Sequence, residues 1–336
     1  MNIFDFTIED LQSYFKEKGE KTFRAKQVFR HIYEGIPFSE MTDISKALRE
    51  ELEGEFDTYL PKIVKKLTSK VDGTVKYLFE MADGEVVEGV VMSYKHGLSM
   101  CISTQVGCSM GCTFCASTLK GKKRNLAPSE MCGQILAAKK DLGRRISNIV
   151  LMGSCEPFDN YENVIKFLKI ATNEDALCIG ARHITISTCG LVDGIYNLAD
   201  EGMQVNLSIS LHASNDETRR QIMPIAKKYD IKTLISACRD YFEKTKRRVT
   251  YEYALIDGVN DSEDTARELA ALLKSGQEHV NLIPVNPVKE RNTKKSRNVE
   301  NFKNTLIRCG INATVRREMG SDISAACGQL RNEYIS

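Results

Sequence analysis

Hydrophobic positions in the first sixty residues recur every three or four places, which is the spacing of amphipathic helices. One predicted helix begins after Thr7, because Asp10 follows three residues later and the pair resembles a capping box. Two more helices are predicted over residues 23–33 and 44–56. Together they indicate a small helical accessory domain over residues 1–60. Its basic side chains are as consistent with a solvated face as with an RNA contact.

The hydrophobic period changes to two between residues 63 and 103, as expected for β-strands. Two Asp-Gly pairs in this stretch are hairpin turn signals, and the run 74–80 alternates as a half-buried strand does. We therefore expect a β-hairpin segment over residues 61–95, ahead of the larger domain.

Glu88 is a charged residue inside an apolar strand of that segment. A buried carboxylate must be paired or have a shifted pKa, which makes Glu88 a candidate proton acceptor. A glutamate exposed to water on an edge strand is the simpler interpretation, and the sequence alone favours it.

From residue 96 onward, strand-like and helix-like runs alternate. The strands are predicted at 148–152, 184–188, 205–210, 249–256 and 280–284, and the helices at 129–140, 162–172, 194–202, 232–242 and 262–275. Each helix follows a strand, which is typical of parallel βα units. The strand before Cys108 brings the number of strands to six, and a short run at 313–316 follows. We expect an α/β fold in which residues 96–336 form a partial (β/α)6 barrel, with its chemistry at the carboxyl ends of the strands.

Composition narrows the class of protein. Hydrophobic residues make up 42% of the chain, enough for a sizeable core, and no run reaches the roughly eighteen apolar residues of a membrane span. The start lacks the regions of a signal peptide, so we expect a cytoplasmic protein without a membrane segment, with monomer as the default state. Eleven cysteines then favour metal or redox chemistry over a disulfide framework. The net charge of +2 requires any RNA surface to come from local basic clusters.

Three cysteines, Cys108, Cys112 and Cys115, stand close together after the first strand of the predicted barrel. Three thiolates hold three irons of a 4Fe-4S cluster, which normally has four cysteine ligands. The open iron can be chelated by S-adenosylmethionine (SAM), a cofactor of radical chemistry. A structural zinc site is the alternative, but zinc prefers two closely spaced ligand pairs, and here only Cys112 and Cys115 form one. The sequence favours the open cluster.

Polar residues recur at the predicted strand ends. They are Cys155 and Glu156, Ser187, Ser210 with Leu211 and His212, and Asn286. Each alone has an ordinary explanation as a turn residue, a strand-end hydroxyl or a core histidine. Their recurrence at one rim predicts a cofactor pocket, in which the Glu156 carboxylate suits an amino group.

The tail carries Cys327 between small residues, and a buried, inert cysteine is the ordinary interpretation of such a position. Several motifs, however, match a known family: Ile-Ser-Thr-Gln-Val-Gly-Cys108-x3-Cys112-x2-Cys115, Met-Gly-x-x-Glu156-Pro, Ser-Leu-His212 and Asp322-Ile-x-Ala-Ala-Cys327-Gly-Gln-Leu. In these motifs the chain closely resembles the radical SAM RNA methyltransferases of the RlmN/Cfr family. The resemblance covers nearly the whole chain, including Phe23-Arg-Ala-Lys-Gln.

The resemblance implies methylation of carbon 2 of a specific adenosine in the peptidyl-transferase region of 23S rRNA, and of the adenosine 3′ to the anticodon in some tRNAs. It implies that Cys327 carries the methyl group, with two SAM consumed per turnover. In the same comparison Glu88 matches the proton acceptor, and Cys101 matches the resolving thiol that leaves a disulfide with Cys327. Thiolate attack on sulfur requires two cysteines brought together by the fold.

The resemblance also assigns the SAM contacts, which are Cys155, Glu156, Ser187, Ser210, Leu211, His212 and Asn286. A low-potential flavodoxin or ferredoxin is the implied electron donor. Cys155 departs from the family, which usually has glycine there, so the turn must avoid a positive φ or be strained. We expect the backbone to make the contact at this position.

Two basic runs flank the predicted pocket mouth. They are Lys120, Lys122, Lys123 and Arg124, and Lys289, Arg291, Lys294, Lys295 and Arg297. Each alone is most often a solvated loop, but together they suit RNA phosphates, and such binding weakens steeply with salt. Two alternatives remain: methylation of carbon 8, as in the Cfr branch, and a non-catalytic RNA-binding protein that holds zinc or an iron-sulfur cluster.

Overall fold

The computed structural model describes residues 1–273, 278–285, 294–323, 331 and 334. The helices in this part are α1 (Ile8–Glu17), α2 (Phe23–Glu34), α3 (Lys46–Glu55), α4 (Pro128–Leu142), α5 (Tyr161–Thr172), α6 (Val192–Asp200), α7 (Asp216–Ile222), α8 (Ile231–Thr245), α9 (Glu263–Leu272) and α10 (Val299–Arg308). The strands are β1 (Lys62–Thr68), β2 (Val75–Glu80), β3 (Val86–Tyr94), β4 (Gly97–Ile102), β5 (Gln105–Gly107), β6 (Lys122–Asn125), β7 (Ile146–Leu151), β8 (Ile184–Thr188), β9 (Asn206–Ser210), β10 (Val249–Leu255), β11 (His279–Pro284) and β12 (Asn312–Val315).

The three amino-terminal helices form as the sequence predicts. The Thr7 hydroxyl accepts a hydrogen bond from the Asp10 amide, and the Asp10 carboxylate accepts one from the Thr7 amide. This reciprocal cap satisfies two amides that the first turn of α1 otherwise leaves unpaired. In α2 the apolar face that the sequence predicted is buried, including Val28 and Phe29.

Among the described residues, ten strands form one sheet in the order β1-β2-β3-β4-β7-β8-β9-β10-β11-β12. The pairs from β1 to β4 are antiparallel. The pairs from β4 through β12 are all parallel, and at least one helix connects each pair of successive parallel strands. The predicted α/β class and partial barrel are therefore confirmed, and the short run near 313–316 is a seventh parallel strand. Helices α7 and α10 were not predicted.

The side of the barrel next to β3 is covered by residues 316–323, which we call the closing segment. Met319 in this segment packs beside Val90 and Cys101. Hydrogen bonds tie the segment to the β1–β2 turn: the Gly320 amide donates to Asp72 at 2.9 Å. The Ser69 hydroxyl donates to Asp322 at 2.6 Å. Contacts between distant parts of the chain thus attach the closing segment to β3 and to the β1–β2 turn.

Strand β2 contradicts the expectation of a half-buried strand, because all its residues except the last are buried. Both of its faces are covered. Tyr77 and Phe79 join the main core, while Leu78 packs against Val86 in a separate small cluster.

Glu88 is 3% exposed, and its strand β3 lies between β2 and β4. The edge-strand interpretation of Glu88 is therefore wrong. The sequence shows the apolar period of the segment, but it does not show which strands flank it.

The β1–β3 segment continues the sheet of the barrel. The division at residues 1–60, 61–95 and 96–336 stays a prediction. No helix in the described part of the chain combines the length and the hydropathy needed to cross a membrane.

Candidate active site

The three clustered cysteines lie on a loop held at its base by a two-stranded ribbon. Strand β5 leads into the loop and β6 follows it, and the two pair antiparallel. Gly107, immediately before Cys108, has φ of 81°. A Cβ at Gly107 would lie 1.9 Å from the Gly121 carbonyl oxygen. Only glycine therefore fits where the ribbon delivers the chain to the first cysteine.

The thiols of this loop are largely removed from water. Cys108 and Cys112 are 5% and 8% exposed, and Cys115 is half-buried. Burial raises the pKa of Cys108 to about 12 and raises that of Cys112 as well. A metal that binds here must displace these protons, so that binding depends on pH.

The loop cysteines can be compared with the ligand sets of a zinc ion and of a 4Fe-4S cluster. Among the described residues, no three His, Cys, Asp or Glu side chains converge closely enough to hold one ion. A tetrahedral zinc site needs ligand atoms within about 2.3 Å of one point, whereas a four-iron cluster spreads its thiolates over a larger body. Cys108, Cys112 and Cys115 nevertheless line one pocket. Three thiols that face one pocket match the three-thiolate ligation of a 4Fe-4S cluster with one open iron.

That pocket has a volume of about 330 Å³, within the range of small-molecule sites. Most of the predicted cofactor residues line it: Cys155, Glu156, Ser187, Ser210 and His212. Leu211 is fully buried and is not among the lining residues, so its side chain supports the strand end. Asn286 lies outside the described residues.

Glu156 joins the ends of two neighbouring strands. One carboxylate oxygen accepts a hydrogen bond from the Cys189 amide at 2.7 Å, and the other accepts one from the Phe158 amide at 3.1 Å. Burial raises the pKa of Glu156, and these two amides oppose the rise. The carboxylate is thereby fixed in position at the pocket wall.

His212 has the left-handed φ of 58°, which is uncommon for a residue other than glycine. Its Nδ1 accepts a hydrogen bond from the Ala254 amide at 2.9 Å, which places the ring proton on Nε2. Burial lowers the pKa of His212 to about 3, and the charge of Arg219 acts in the same direction. The ring is therefore neutral at physiological pH. Phe114 from the cysteine loop packs edge-on against it, with ring centroids 4.9 Å apart.

Cysteine replaces the usual glycine of the family at position 155 without backbone strain. No positive φ occurs at Cys155, in contrast to His212. Gly153, two residues earlier, is where a side chain does not fit, since a Cβ there would lie 2.7 Å from the Ile102 carbonyl oxygen. The close approach in this turn is thus made by Gly153.

Cys101 and Glu88 lie on the same face of adjacent strands. Cys101 pairs in register with Val90, lines the pocket and is 4% exposed. Glu88 is two residues before Val90, and its carboxylate lies 3.2 Å from Lys76 Nζ. Glu88 also accepts a hydrogen bond from the Arg331 amide. Glu88 does not line the pocket itself.

Cys327 lies outside the described residues, so that its pairing with Cys101 stays a prediction. No two cysteines in the described part of the chain form a disulfide with each other.

Cys189, which follows the predicted strand end at Ser187, also lines the pocket. Sequence reasoning missed two residues, of which the first, Glu252, lines the pocket although no pattern singled it out. Arg219 is fully buried behind it, where it bonds to strand-end carbonyl groups. The only sequence signal for Arg219 is its position three residues before Ile222 on the buried face of α7.

The first basic run is largely engaged by acidic neighbours. Lys122 pairs with Asp159 at 2.6 Å, and Lys123 pairs with Glu85 at 2.6 Å. Arg124 pairs with Asp83 and Glu130. In the second run, Lys295 pairs with Glu318, while Lys289 and Arg291 lie outside the described residues. Phosphate binding by these runs stays a prediction, and it requires competition with these ion pairs.

Two family models match the chain. Residues 102–270 match the radical SAM superfamily. Residues 1–57 match the ribosomal RNA large subunit methyltransferase N-terminal domain. The first match spans β5 through β10, of which β7–β10 belong to the barrel sheet, and the second covers helices α1–α3.

Relatives of known description match over the full length. A probable dual-specificity RNA methyltransferase RlmN of Clostridium novyi is 54% identical over 338 residues, covering 99% of this chain and 98% of the relative. A protein of the same description from Alkaliphilus oremlandii is 56% identical over 340 residues, covering 100% and 98%. The crystal structure of a radical SAM methyltransferase from Sphaerobacter thermophilus matches with a TM-score of 0.91 and 42% identity, covering 98% of both chains. The chain therefore belongs to the RlmN family of radical SAM methyltransferases.

Proposed function

We propose that this enzyme methylates carbon 2 of an adenosine in the peptidyl-transferase region of 23S rRNA and of the adenosine 3′ to the anticodon in some tRNAs. The observation that carries the proposal is one pocket lined by the three loop cysteines, the polar strand ends and Cys101. The description of the relatives as dual-specificity RNA methyltransferases supports the two RNA substrates. The relatives carry the name RlmN, and this name supports carbon 2 over carbon 8 as the atom that is methylated.

Cys108, Cys112 and Cys115 would hold a 4Fe-4S cluster by three thiolates. SAM would contact Cys155, Glu156, Ser187, Ser210 and His212, with Leu211 behind them and Asn286 completing the set. When bound, these groups supply the one-electron chemistry that makes an unreactive methyl group transferable. The fixed carboxylate of Glu156 orients an ammonium group, and neutral His212 adds no charge that repels a sulfonium.

Cys327, Cys101 and Glu88 carry the later steps of the proposal. With SAM and the cluster bound, these groups would take up one hydrogen atom from the methyl group on Cys327 and one further electron, and the methyl carbon would become joined to the adenine ring. Glu88 then removes the ring proton, and the Cys101 thiolate attacks the Cys327 sulfur. The carbon–sulfur bond breaks as the sulfur–sulfur bond forms, and the released carbon takes up a proton to become the methyl group. Lys76 contributes by holding the Glu88 carboxylate in place.

The electron donor, the oligomeric state and the cellular location are part of the same proposal. A low-potential flavodoxin or ferredoxin supplies electrons, and the enzyme works as a monomer in the cytoplasm. The target base must be unstacked to reach a pocket of this size.

Mass spectrometry of adenosines from a deletion strain tests the regiochemistry. Loss of 2-methyladenosine from 23S rRNA and from tRNA is the expected result. Unchanged 2-methyladenosine in both RNAs would refute the proposal, and loss of 8-methyladenosine would establish the alternative.

Cluster binding is tested separately by comparing two buried cysteines. Cys112→Ala removes a proposed ligand, and Cys132→Ala removes a thiol that is 0% exposed but lies in the main core. After anaerobic reconstitution, we expect iron, sulfide and visible absorbance to be lost in the first variant and retained in the second. A colourless wild-type protein that makes no 5′-deoxyadenosine would contradict the enzyme and favour the RNA-binding alternative.

A further inference from the structure

Arg219 is a fully buried arginine in the short helix α7, behind the cysteine loop. Its guanidinium donates three hydrogen bonds to main-chain carbonyl groups. Nε donates to Leu211 at 3.1 Å, and one terminal nitrogen donates to Cys189 at 2.7 Å and to Ser210 at 3.3 Å. Arg219 therefore fastens together the carboxyl ends of β8 and β9, which supply part of the pocket wall.

Within the described residues, the hydrogen bonds of the Arg219 guanidinium go to carbonyl groups and not to a carboxylate, and its second terminal nitrogen has no hydrogen-bond partner. Asp216, on the same helix, accepts a hydrogen bond from the Ile231 amide and acts on Arg219 only through space. A buried charge without a counter-charge in contact is costly, so an anion close to the guanidinium would stabilise it.

The cysteine loop is where such an anion would be held. The loop docks on the end of α7, where the Thr113 amide donates to the Ile222 carbonyl at 2.9 Å. Cys112 and Cys189 pack together with Ile222 and Met223 just beyond Arg219. Burial raises the pKa of Cys112 and Cys189, and the Arg219 guanidinium opposes that rise in both.

We propose that Arg219 is a positioning residue whose charge offsets the negative charge of a cluster held by the loop thiolates and raises the reduction potential of that cluster. This inference rests on the proposed function, since it requires the loop to hold a cluster. Each electron accepted makes the cluster more negative by one unit. A fixed positive charge in the low-dielectric interior therefore stabilises the reduced form more than the oxidised form.

An anaerobic redox titration of the reconstituted enzyme, followed by electron paramagnetic resonance, tests this role. Arg219→Met removes the charge and Arg219→Lys retains it. Arg220→Met removes the charge of the neighbouring residue, which is exposed. We expect Arg219→Met to lower the ratio of reduced to oxidised cluster at a fixed potential by about tenfold, which for one electron equals about 59 mV. Arg219→Lys and Arg220→Met should remain close to the wild type.

A full complement of iron in Arg219→Met with an unchanged potential would overturn the inference while leaving the proposed function intact. If that variant does not fold, Arg219→Gln and Arg219→Lys are compared, because both keep hydrogen-bond donors and only lysine keeps the charge. Equal potentials in those two variants would likewise overturn it. A wild-type protein that binds no cluster would instead refute the proposed function.

Discussion

Lys76 Nζ lies 3.2 Å from Glu88 Oε2, and the two side chains are 0% and 3% exposed. The pair joins the adjacent strands β2 and β3, in which Lys76 pairs with Val90 and Glu88 with Leu78. Glu88 also accepts a hydrogen bond from the Arg331 amide. A buried carboxylate with this many fixed partners has a defined position, which suits the proton acceptor of the proposed reaction.

Removing Lys76 should destabilise the fold severely. Lys76→Met removes the ammonium group beside the buried Glu88 carboxylate, and losing one partner of a buried pair typically costs about 3–5 kcal/mol. The free energy of unfolding from urea titration measures this loss. Lys65→Met, on the exposed side of β1, is the control and should change the free energy by less than about 0.5 kcal/mol. Similar small losses in the two variants would contradict the importance of the pair.

Two glycines at the base of the cysteine loop allow a steric clash to be separated from backbone strain. Gly107 and Gly121 have positive φ of 81° and 67°, so alanine introduces backbone strain of about 1–2 kcal/mol at either one. Only at Gly107 does the new Cβ meet the main chain, whereas nothing lies within 4 Å of it at Gly121. We expect Gly107→Ala to lower both the stability and the iron content after reconstitution. Gly121→Ala should lower stability slightly and bind iron normally, and equal effects would disprove the steric argument.

The attachment of the closing segment should depend on pH. The Gly320 amide, the main cause, lowers the pKa of Asp72 to about 2. Because the folded pKa is depressed, the contribution is complete above the ordinary carboxyl pKa near 4 and is lost as the pH falls through about 2. Hydrogen exchange of the Gly320 amide, corrected for its intrinsic pH dependence, should accelerate over that interval.

Asp72→Ala is the control for this measurement. In that variant the Gly320 amide should exchange fast already at neutral pH, with no further step in acid. An acid step that persists in Asp72→Ala would assign the effect to another carboxyl group.

The cysteine at position 155 should be dispensable for binding SAM. Its φ is not positive, and we expect the backbone to make the contact there. Cys155→Gly should therefore change the dissociation constant by less than about threefold, which is below about 0.7 kcal/mol. Gly153→Ala is the contrasting variant, because its Cβ would press on the main chain of Ile102. Calorimetry should show clearly weaker binding for Gly153→Ala, and the reverse order would show that Cys155 acts through its side chain.

Local patterns in the sequence predicted the elements and their order well. The cap formed by Thr7 and Asp10 depends on residues three positions apart, and β8 matches its predicted range of 184–188. The grouping of polar strand ends at one rim was predictable from the parallel order of the strands, because the carboxyl ends of parallel strands lie on the same side of the barrel.

Contacts between distant strands were not predictable in the same way. Lys76 and Glu88 are in separate strands whose periods say nothing about their neighbours, and Glu88 was therefore assigned to an exposed edge. Charged residues are mostly exposed, and no pattern in the sequence singled out Arg219 as a buried residue. Its burial depends on three carbonyl groups from β8 and β9 that only the folded sheet brings within reach.

The hydrogen bond between Ser69 and Asp322 spans 253 positions of the chain. At the usual rates of protein synthesis of about 5–20 residues per second, Asp322 leaves the ribosome roughly 13 to 50 s after Ser69. The strands that begin the sheet are thus made long before the segment that covers its side. During that interval the closing segment has not been synthesised, so the side of the barrel next to β3 is uncovered. The packing of Met319 beside Val90 of β3 is one of the last contacts to form.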